Sequence, residues 1–201
     1  MRLVVATHNA KKAGEMVQIL SQRFPDLEIV TLAEYPGAPE PDEVGDTYEA
    51  NAVIKAESAC RHTGEWCVAD DAGLEIDALG GAPGVRSKRF AGEDAPFSVK
   101  IAKILEQIAA APTEARTARF QCRVALARPD SPTEVFEGIC EGRIAEAPRG
   151  TYGFGYDPIF EVGNTGRTMA EHTPEEKHAI SHRGMVLARL AARLDELLQQ
   201  S

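Results

Sequence analysis

Four groups of residues have the types and spacing to act on a phosphorylated ligand. Thr7-His8-Asn9-Ala10-Lys11-Lys12 stands where an apolar run gives way to a helical pattern. At such a join, backbone N–H groups and the helix dipole attract anions, and a lysine beside them points toward phosphate. The segment lacks the glycines of a Walker loop, and Thr and Asn are also ordinary capping residues. Glu43, Asp70 and Asp71 form the second group. Their carboxylate oxygens suit Mg²⁺, which keeps several waters and leaves positions for substrate phosphates. Successive strand residues face opposite ways, so Asp70 and Asp71 can serve one site only if the strand ends between them. The following Ala72-Gly73 makes such an end the expectation.

The third group is Phe154-Gly155-Tyr156-Asp157-Pro158, preceded by Gly150-Thr151-Tyr152-Gly153. A loop this rich in glycine and aromatic residues could stack a base on a ring, an interaction worth roughly 1–3 kcal/mol and tolerant of many bases. Anchoring a turn to the core is the ordinary alternative. Lys177, Ser181, His182 and Arg183 are the fourth group, at the join of two C-terminal helical stretches interrupted by Gly184. His182 and Arg183 could donate hydrogen bonds to a purine carbonyl, although an exposed helix face accounts for them equally well.

The elements that must position these groups follow from periodicity. Arg2 to Thr7 reads as a buried strand, and Lys12 to Phe24 as a helix turning Ala13, Met16, Val17, Leu20 and Phe24 inward. Glu28 to Leu32 suggests a second strand, and Pro36, Pro39 and Pro41 then mark a loop. Asp46 and Glu49 form a possible capping box for a helix that carries Ala52, Val53, Ala56 and Ala59 on one face to about His62. Trp66 to Asp70 reads as a short strand, and Gly80-Gly81-Ala82-Pro83-Gly84 must turn. A helix is expected from about Pro96 to Ala111, with Pro96 in its first turn and Val99, Ala102, Leu105 and Ile108 inward. Phe120, Cys122, Val124 and Leu126 alternate with polar residues, and Pro129 to Pro132 can close a hairpin onto Thr133 to Ile144. Thr173-Pro174-Glu175-Glu176 starts a helix, and Leu187, Leu190, Leu194 and Leu197 line the last one. Strand–helix alternation followed by a hairpin predicts an α/β fold, a mixed sheet flanked by helices.

Bulk properties narrow the function. The 201 residues fit one domain, or one domain in two lobes, with enough length for a core and a cleft. With 43% hydrophobic and 26% charged residues, neither a disordered chain nor a membrane protein is indicated. The apolar start is too short for a signal peptide, so a cytoplasmic location is expected. Cys60, Cys67, Cys122 and Cys140 form no CxxC pair, which gives a zinc site or disulfide framework little support. A net charge of −9 opposes nucleic-acid binding but not a small phosphorylated ligand held by a few lysines and a divalent metal.

Taken together, the segments resemble the inosine/xanthosine triphosphate pyrophosphatase family over nearly the whole chain. In the family's order come Thr7-His8-Asn9 with Lys12, Glu43-Val44-Gly45-Asp46-Thr47, Asn51-Ala52 with Lys55, and Ala69-Asp70-Asp71-Ala72-Gly73-Leu74. Gly80 to Gly84, Gly153 to Pro158, Glu176-Lys177 and Ser181-His182-Arg183-Gly184 follow. The resemblance implies hydrolysis of ITP, dITP, XTP and dXTP to the monophosphate and pyrophosphate, with Mg²⁺, in a homodimer of subunits built on a long curved mixed sheet with two lobes and a central cleft. It further implies that Thr7, His8, Asn9, Ala10, Lys11, Lys12 and Lys55 hold the triphosphate. Glu43, Asp70 and Asp71 would surround the metal, with Asp71 as general base. Phe154 would stack on the base, Gly155, Tyr156, Asp157 and Lys177 would line the nucleoside site, and His182 and Arg183 would read the 6-oxo edge.

Three positions depart from the family pattern. His8 replaces a small or amide residue, Ala50 a frequent glutamate, and Ala72 a frequent serine, so the Ala72 backbone N–H must replace a hydroxyl contact to substrate. Two rivals follow. One is a related pyrophosphatase with another base preference, which His182-Arg183 opposes. The other is a nucleotide sensor without turnover, which the intact carboxylates oppose.

Overall fold

A computed structural model of the chain describes residues 1–200. Its secondary structure runs β1 (Arg2–Val5), α1 (Ala10–Arg23), β2 (Glu28–Thr31), α2 (Tyr48–Thr63), β3 (Trp66–Ile76), α3 (Phe97–Gln107), β4 (Thr117–Ala127), β5 (Glu134–Ile144), β6 (Phe160–Val162), α4 (Pro174–Ile180) and α5 (His182–Leu198). The six strands form one sheet in the order β2-β1-β3-β4-β5-β6. β1 runs parallel to β2 and β3, and β5 runs antiparallel to β6. Parallel neighbours need long crossovers, here supplied by α1 and α2, whereas the six residues from Arg128 to Thr133 can join β4 to β5 only as a hairpin. The sheet is therefore mixed, as expected.

The chain divides into two compact units. The first comprises Met1–Asp71, Cys122–Gly138 and the C-terminal segment from Met185; the second comprises Ala72–Gln121 and Ile139–Gly184. In the first, Val4, Val30, Ala52, Ala56, Cys67, Ala69 and Ala125 form a core rich in small side chains, which lets α2 lie close on the strands. In the second, Leu74, Ile76, Ile104, Phe120, Ile144, Phe160 and Met169 pack together. All four cysteines are buried thiols. No helix among the described residues is long and apolar enough to cross a membrane.

Several elements differ from the periodicity reading. β3 continues through Asp70 and Asp71 to Ile76 instead of ending at the acidic pair. Ala72-Gly73 is accommodated as strand because pairing with its neighbours outweighs a weak local signal. α2 is capped by Thr47, whose side chain accepts the Ala50 N–H, so Asp46 is not the cap. Pro96 is the N-cap of α3, not its first residue, and the buried stripe is Lys100, Ile101 and Ile104, followed by Ile108. Val99 is 50% exposed. A second apolar set at helical spacing lies one to two residues along, and the sheet beneath chose between them. Ser181, not Gly184, separates α4 from α5. β6 was not anticipated; at three residues it is too short to show alternation. The start of α4 is as expected, with Thr173 and Glu176 exchanging a capping box around Pro174.

Candidate active site

In the first unit, α1 opens with its own cap. The Asn9 side chain accepts the N–H groups of Lys11 and Lys12 at 3.1 and 3.2 Å, and Thr7 Oγ1 accepts the Asn9 N–H at 3.2 Å. These bonds set the turn that aims Lys12 inward, where its Nζ lies 3.2 Å from Asp70 Oδ2. Ala10 begins the helix and Lys11 is exposed. The His8 ring lies 3.4 Å from the Pro39 carbonyl, which joins this loop to the proline-rich one.

β3 carries the acidic pair into that region. Asp70 is buried at 1% exposure and Asp71 at 7%. Because the strand continues, the two carboxylates engage different partners. Asp70 takes Lys12 and accepts the Cys122 thiol at 3.9 Å, while Asp71 Oδ1 takes Lys55 Nζ at 3.1 Å. Lys55 Nζ also donates to Glu43 Oε1 at 3.0 Å. Glu43, Asp70, Asp71, Lys12 and Lys55 are thus brought together, three carboxylates facing two lysines, although the strand does not end between the aspartates as the sequence reading required. Burial holds the Asp71 carboxyl above the usual carboxylate range; Glu43 adds to this, and Lys55 and Lys12 act against it. For Lys55 burial favours the neutral amine, but Asp71, Asp70 and Glu43 together outweigh it and raise its pKa.

Among the described residues no three His, Cys, Asp or Glu side chains form a metal-binding group. The lysines stand between the carboxylates that the sequence assigned to magnesium. The donor set nevertheless fits Mg²⁺ chemically, since that ion is usually held by one or two carboxylates together with water and substrate phosphates. Ala72, the next residue of β3, is half-buried.

The second unit holds the aromatic loop and the start of α5. Lys177 and Asp157 are both 3% exposed and pair at 2.8 Å. Asp157 Oδ2 also accepts the Phe154 N–H at 2.9 Å, which pins the loop. Breaking such a buried pair from one side costs roughly 3–5 kcal/mol. Lys177 Nζ lies 4.6 Å from the Phe154 ring centroid and the Arg183 guanidinium 5.7 Å, so two cations lie over the ring. His182 stacks on Phe120 at 4.6 Å and 21°. His182 and Arg183 are 4% and 2% exposed, which rules out the exposed-helix account of them. Ser181 Oγ accepts the Gly184 N–H at 3.1 Å, and this local cap starts α5 so that both residues fall in its first turn. Gly155 lies beside Phe97, and Tyr156 is buried, its hydroxyl donating to the Ser87 carbonyl at 2.9 Å. Burial raises that phenol's pKa, and its ring meets Phe97 edge-on at 5.1 Å. The Tyr156 side chain therefore anchors the loop from below.

Two contacts were not legible in the sequence. Cys122 beneath Asp70 reads only as one more inward strand residue. Asn51 stands in the sequence only as part of the Asn51-Ala52 motif with Lys55, with no role attached to it, although it precedes Lys55 by one helical turn and bonds Asp71 Oδ2 at 3.3 Å.

The chain that carries these two clusters, one in each unit, has known relatives in sequence and fold. The model of the Ham1 family matches residues 3–193. Over 196 residues the chain is 48% identical to the dITP/XTP pyrophosphatase of Geobacillus kaustophilus, covering 98% of this chain and 95% of that protein. It is 46% identical to the protein of the same name from Bacillus subtilis over 192 residues, 96% of each. Among solved structures, a HAM1 protein from Coxiella burnetii superposes with a TM-score of 0.87 at 43% identity, covering 98% of this chain and 99% of that one. The chain belongs to the Ham1 family.

Proposed function

We propose that the chain hydrolyses deaminated purine nucleoside triphosphates, ITP, dITP, XTP and dXTP, to the nucleoside monophosphate and pyrophosphate, which keeps them out of DNA and RNA. The observation that carries this reading is the lysine–carboxylate cluster of Lys12, Lys55, Glu43, Asp70 and Asp71. A magnesium–triphosphate complex would satisfy both halves of such a cluster: Lys12 and Lys55 would hold phosphate oxygens, and Glu43, Asp70 and Asp71 would hold the cation. Bound Mg²⁺ would neutralise phosphate charge and acidify a coordinated water. Asp71 accepts the proton of the attacking water, whose oxygen bonds to phosphorus as the bond to pyrophosphate breaks. Lys12 and Lys55 stabilise the charge that develops on the leaving group.

Phe154 and Lys177 receive the nucleoside in this reading, and His182 and Arg183 donate to the 6-oxo group. The Geobacillus and Bacillus relatives carry dITP and XTP in their names. The reading includes a homodimer acting in the cytoplasm. The exposed Phe97, Val99 and Tyr152 of the second unit are apolar surface that a partner copy would cover. Incubation with dITP and Mg²⁺ followed by product chromatography tests the reaction. Deoxyinosine monophosphate and pyrophosphate are expected, and stepwise appearance of diphosphate and orthophosphate would replace the reading with an ordinary phosphatase.

A further inference from the structure

Asn51 stands in the first turn of α2, four residues before Lys55, so the two side chains leave the helix along one stripe. It is 1% exposed. Its Oδ1 accepts the Gly45 N–H at 2.8 Å, and its Nδ2 donates to Asp71 Oδ2 at 3.3 Å. Lys55 makes the matching pair of contacts one turn later, to Glu43 Oε1 at 3.0 Å and Asp71 Oδ1 at 3.1 Å. Two side chains on one helical turn each tie the Glu43–Gly45 loop to Asp71, and each takes a different carboxylate oxygen. The loop is pressed against the helix there, since a Cβ on Gly45 would stand 2.7 Å from both Ala50 Cβ and Asn51 Oδ1.

The two grips differ in kind. Lys55 is a cation that phosphate oxygens can draw away. Asn51 is neutral, and a phosphate, which only accepts hydrogen bonds, cannot stand in for the Gly45 N–H as the donor to its Oδ1. An amide side chain offers an acceptor and a donor on one planar group without depending on protonation state.

We infer that Asn51 is a positioning residue for the hydrolysis, holding the Asp71 carboxylate and the Glu43 loop in place once Lys55 has turned to the phosphate chain. This rests on the role given to Asp71 in the reading above. Losing an outer partner of a ligating or catalytic group costs roughly 10–100-fold in activity or metal affinity, and a displacement of about 1 Å can cost as much.

The test compares Asn51→Ala, which removes both bonds, with Asn51→Asp, which keeps the acceptor for Gly45 but faces Asp71 with a second carboxylate. Both are measured beside wild type and Asp71→Asn by circular dichroism and by kcat and KM for dITP with Mg²⁺. The expected result is folded protein with kcat lower by roughly 10–100-fold and KM near wild type, because neither change touches the purine ring or the phosphate chain of the substrate. A residue that merely supports the fold would reduce the folded fraction without that split. Wild-type kcat in either folded variant, a defect confined to KM, or failure of both to fold overturns the assignment. If Asp71→Asn itself turns over normally, the reading of the carboxylates falls. If it is inactive while both Asn51 variants work normally, only the assignment of Asn51 falls.

Discussion

Asp71 and Gly153 show how much of the proposed chemistry hangs on single atoms. In Asp71→Asn the amide keeps the shape but neither accepts a proton nor carries charge. We expect kcat to fall by roughly 10²–10⁴-fold with the circular dichroism spectrum unchanged. Asp70, paired to Lys12 instead of Lys55, is the comparison. A magnesium titration of Asp70→Asn and Asp71→Asn separates loss of the base from loss of a metal contact, because only the latter is relieved by more magnesium. Gly153 sits at φ +73°, and a Cβ there would lie 2.1 Å from Asp157 Oδ2. That oxygen cannot retreat, being held by Lys177 at 2.8 Å and by the Phe154 N–H at 2.9 Å. Gly153→Ala should displace Phe154 and weaken stacking, raising KM for dITP roughly tenfold or more with a smaller effect on kcat. Unchanged steady-state constants would remove Phe154 from the nucleoside site.

The pair α4 and α5 concentrates the constraints on whole elements. A Cβ on Gly184 would overlap the His178 carbonyl, 1.7 Å away, so the first turn of α5 is in backbone contact with the last turn of α4. Ahead of α4, His172 is buried at 5% exposure, and its Nε2 has no hydrogen-bond partner. Burial lowers its pKa from 6.5, and Arg167 adds to this, while Glu176 and Glu171 oppose it. The folded state therefore prefers the neutral ring. Below 6.5 the unfolded chain takes up a proton more readily than the folded one, so stability falls as the pH drops through 6.5 toward the lower folded value. His172→Leu should remove this component of the acid destabilisation. It should also stabilise the protein at neutral pH by about 1 kcal/mol, or roughly 2–4 °C in Tm, because a buried polar atom without a partner is replaced by carbon. Thermal melts of both proteins across the pH range check this; parallel pH profiles would show that His172 does not contribute.

For the whole molecule, the prediction concerns what the base and phosphate groups do together. A donor aimed at a 6-oxo group meets a 6-amino donor in adenine, and such mismatches discriminate by roughly 10⁴-fold. kcat/KM for dITP should exceed that for dATP by about that factor, and comparable values would count decisively against His182 and Arg183 as readers of the base. Chelation by EDTA should abolish turnover, and added Mg²⁺ should restore it. Melting should be little changed by the chelator, because the carboxylates already have Lys12 and Lys55 as partners. A large fall in Tm would instead make the metal a structural one.

The sequence by itself determined the fold class, most element positions and the residue types of the candidate site. These depend on local rules: helical and strand periods, the Thr173 capping box, and ordered short motifs that chance does not assemble. Tertiary structure decided what depends on neighbours far along the chain. β3 runs on through Ala72-Gly73 because the long β4 lies beside it in the sheet, beyond the stretch that β1 pairs, and this gives Asp70 and Asp71 separate lysines. α3 buries Ile101 and Ile104 instead of Val99 and Ala102, because two apolar stripes competed and only the packed sheet could select one. The phenol of Tyr156 turned to Ser87, 69 residues away in sequence, and not toward solvent. Asn51 became a clamp only when β3 brought Asp71 beside it, a contact across 20 residues. Local preference is worth a few tenths of a kcal/mol to about 1 kcal/mol per residue, whereas burial of a side chain or satisfaction of a buried polar group is worth more, so the long-range terms settle these positions.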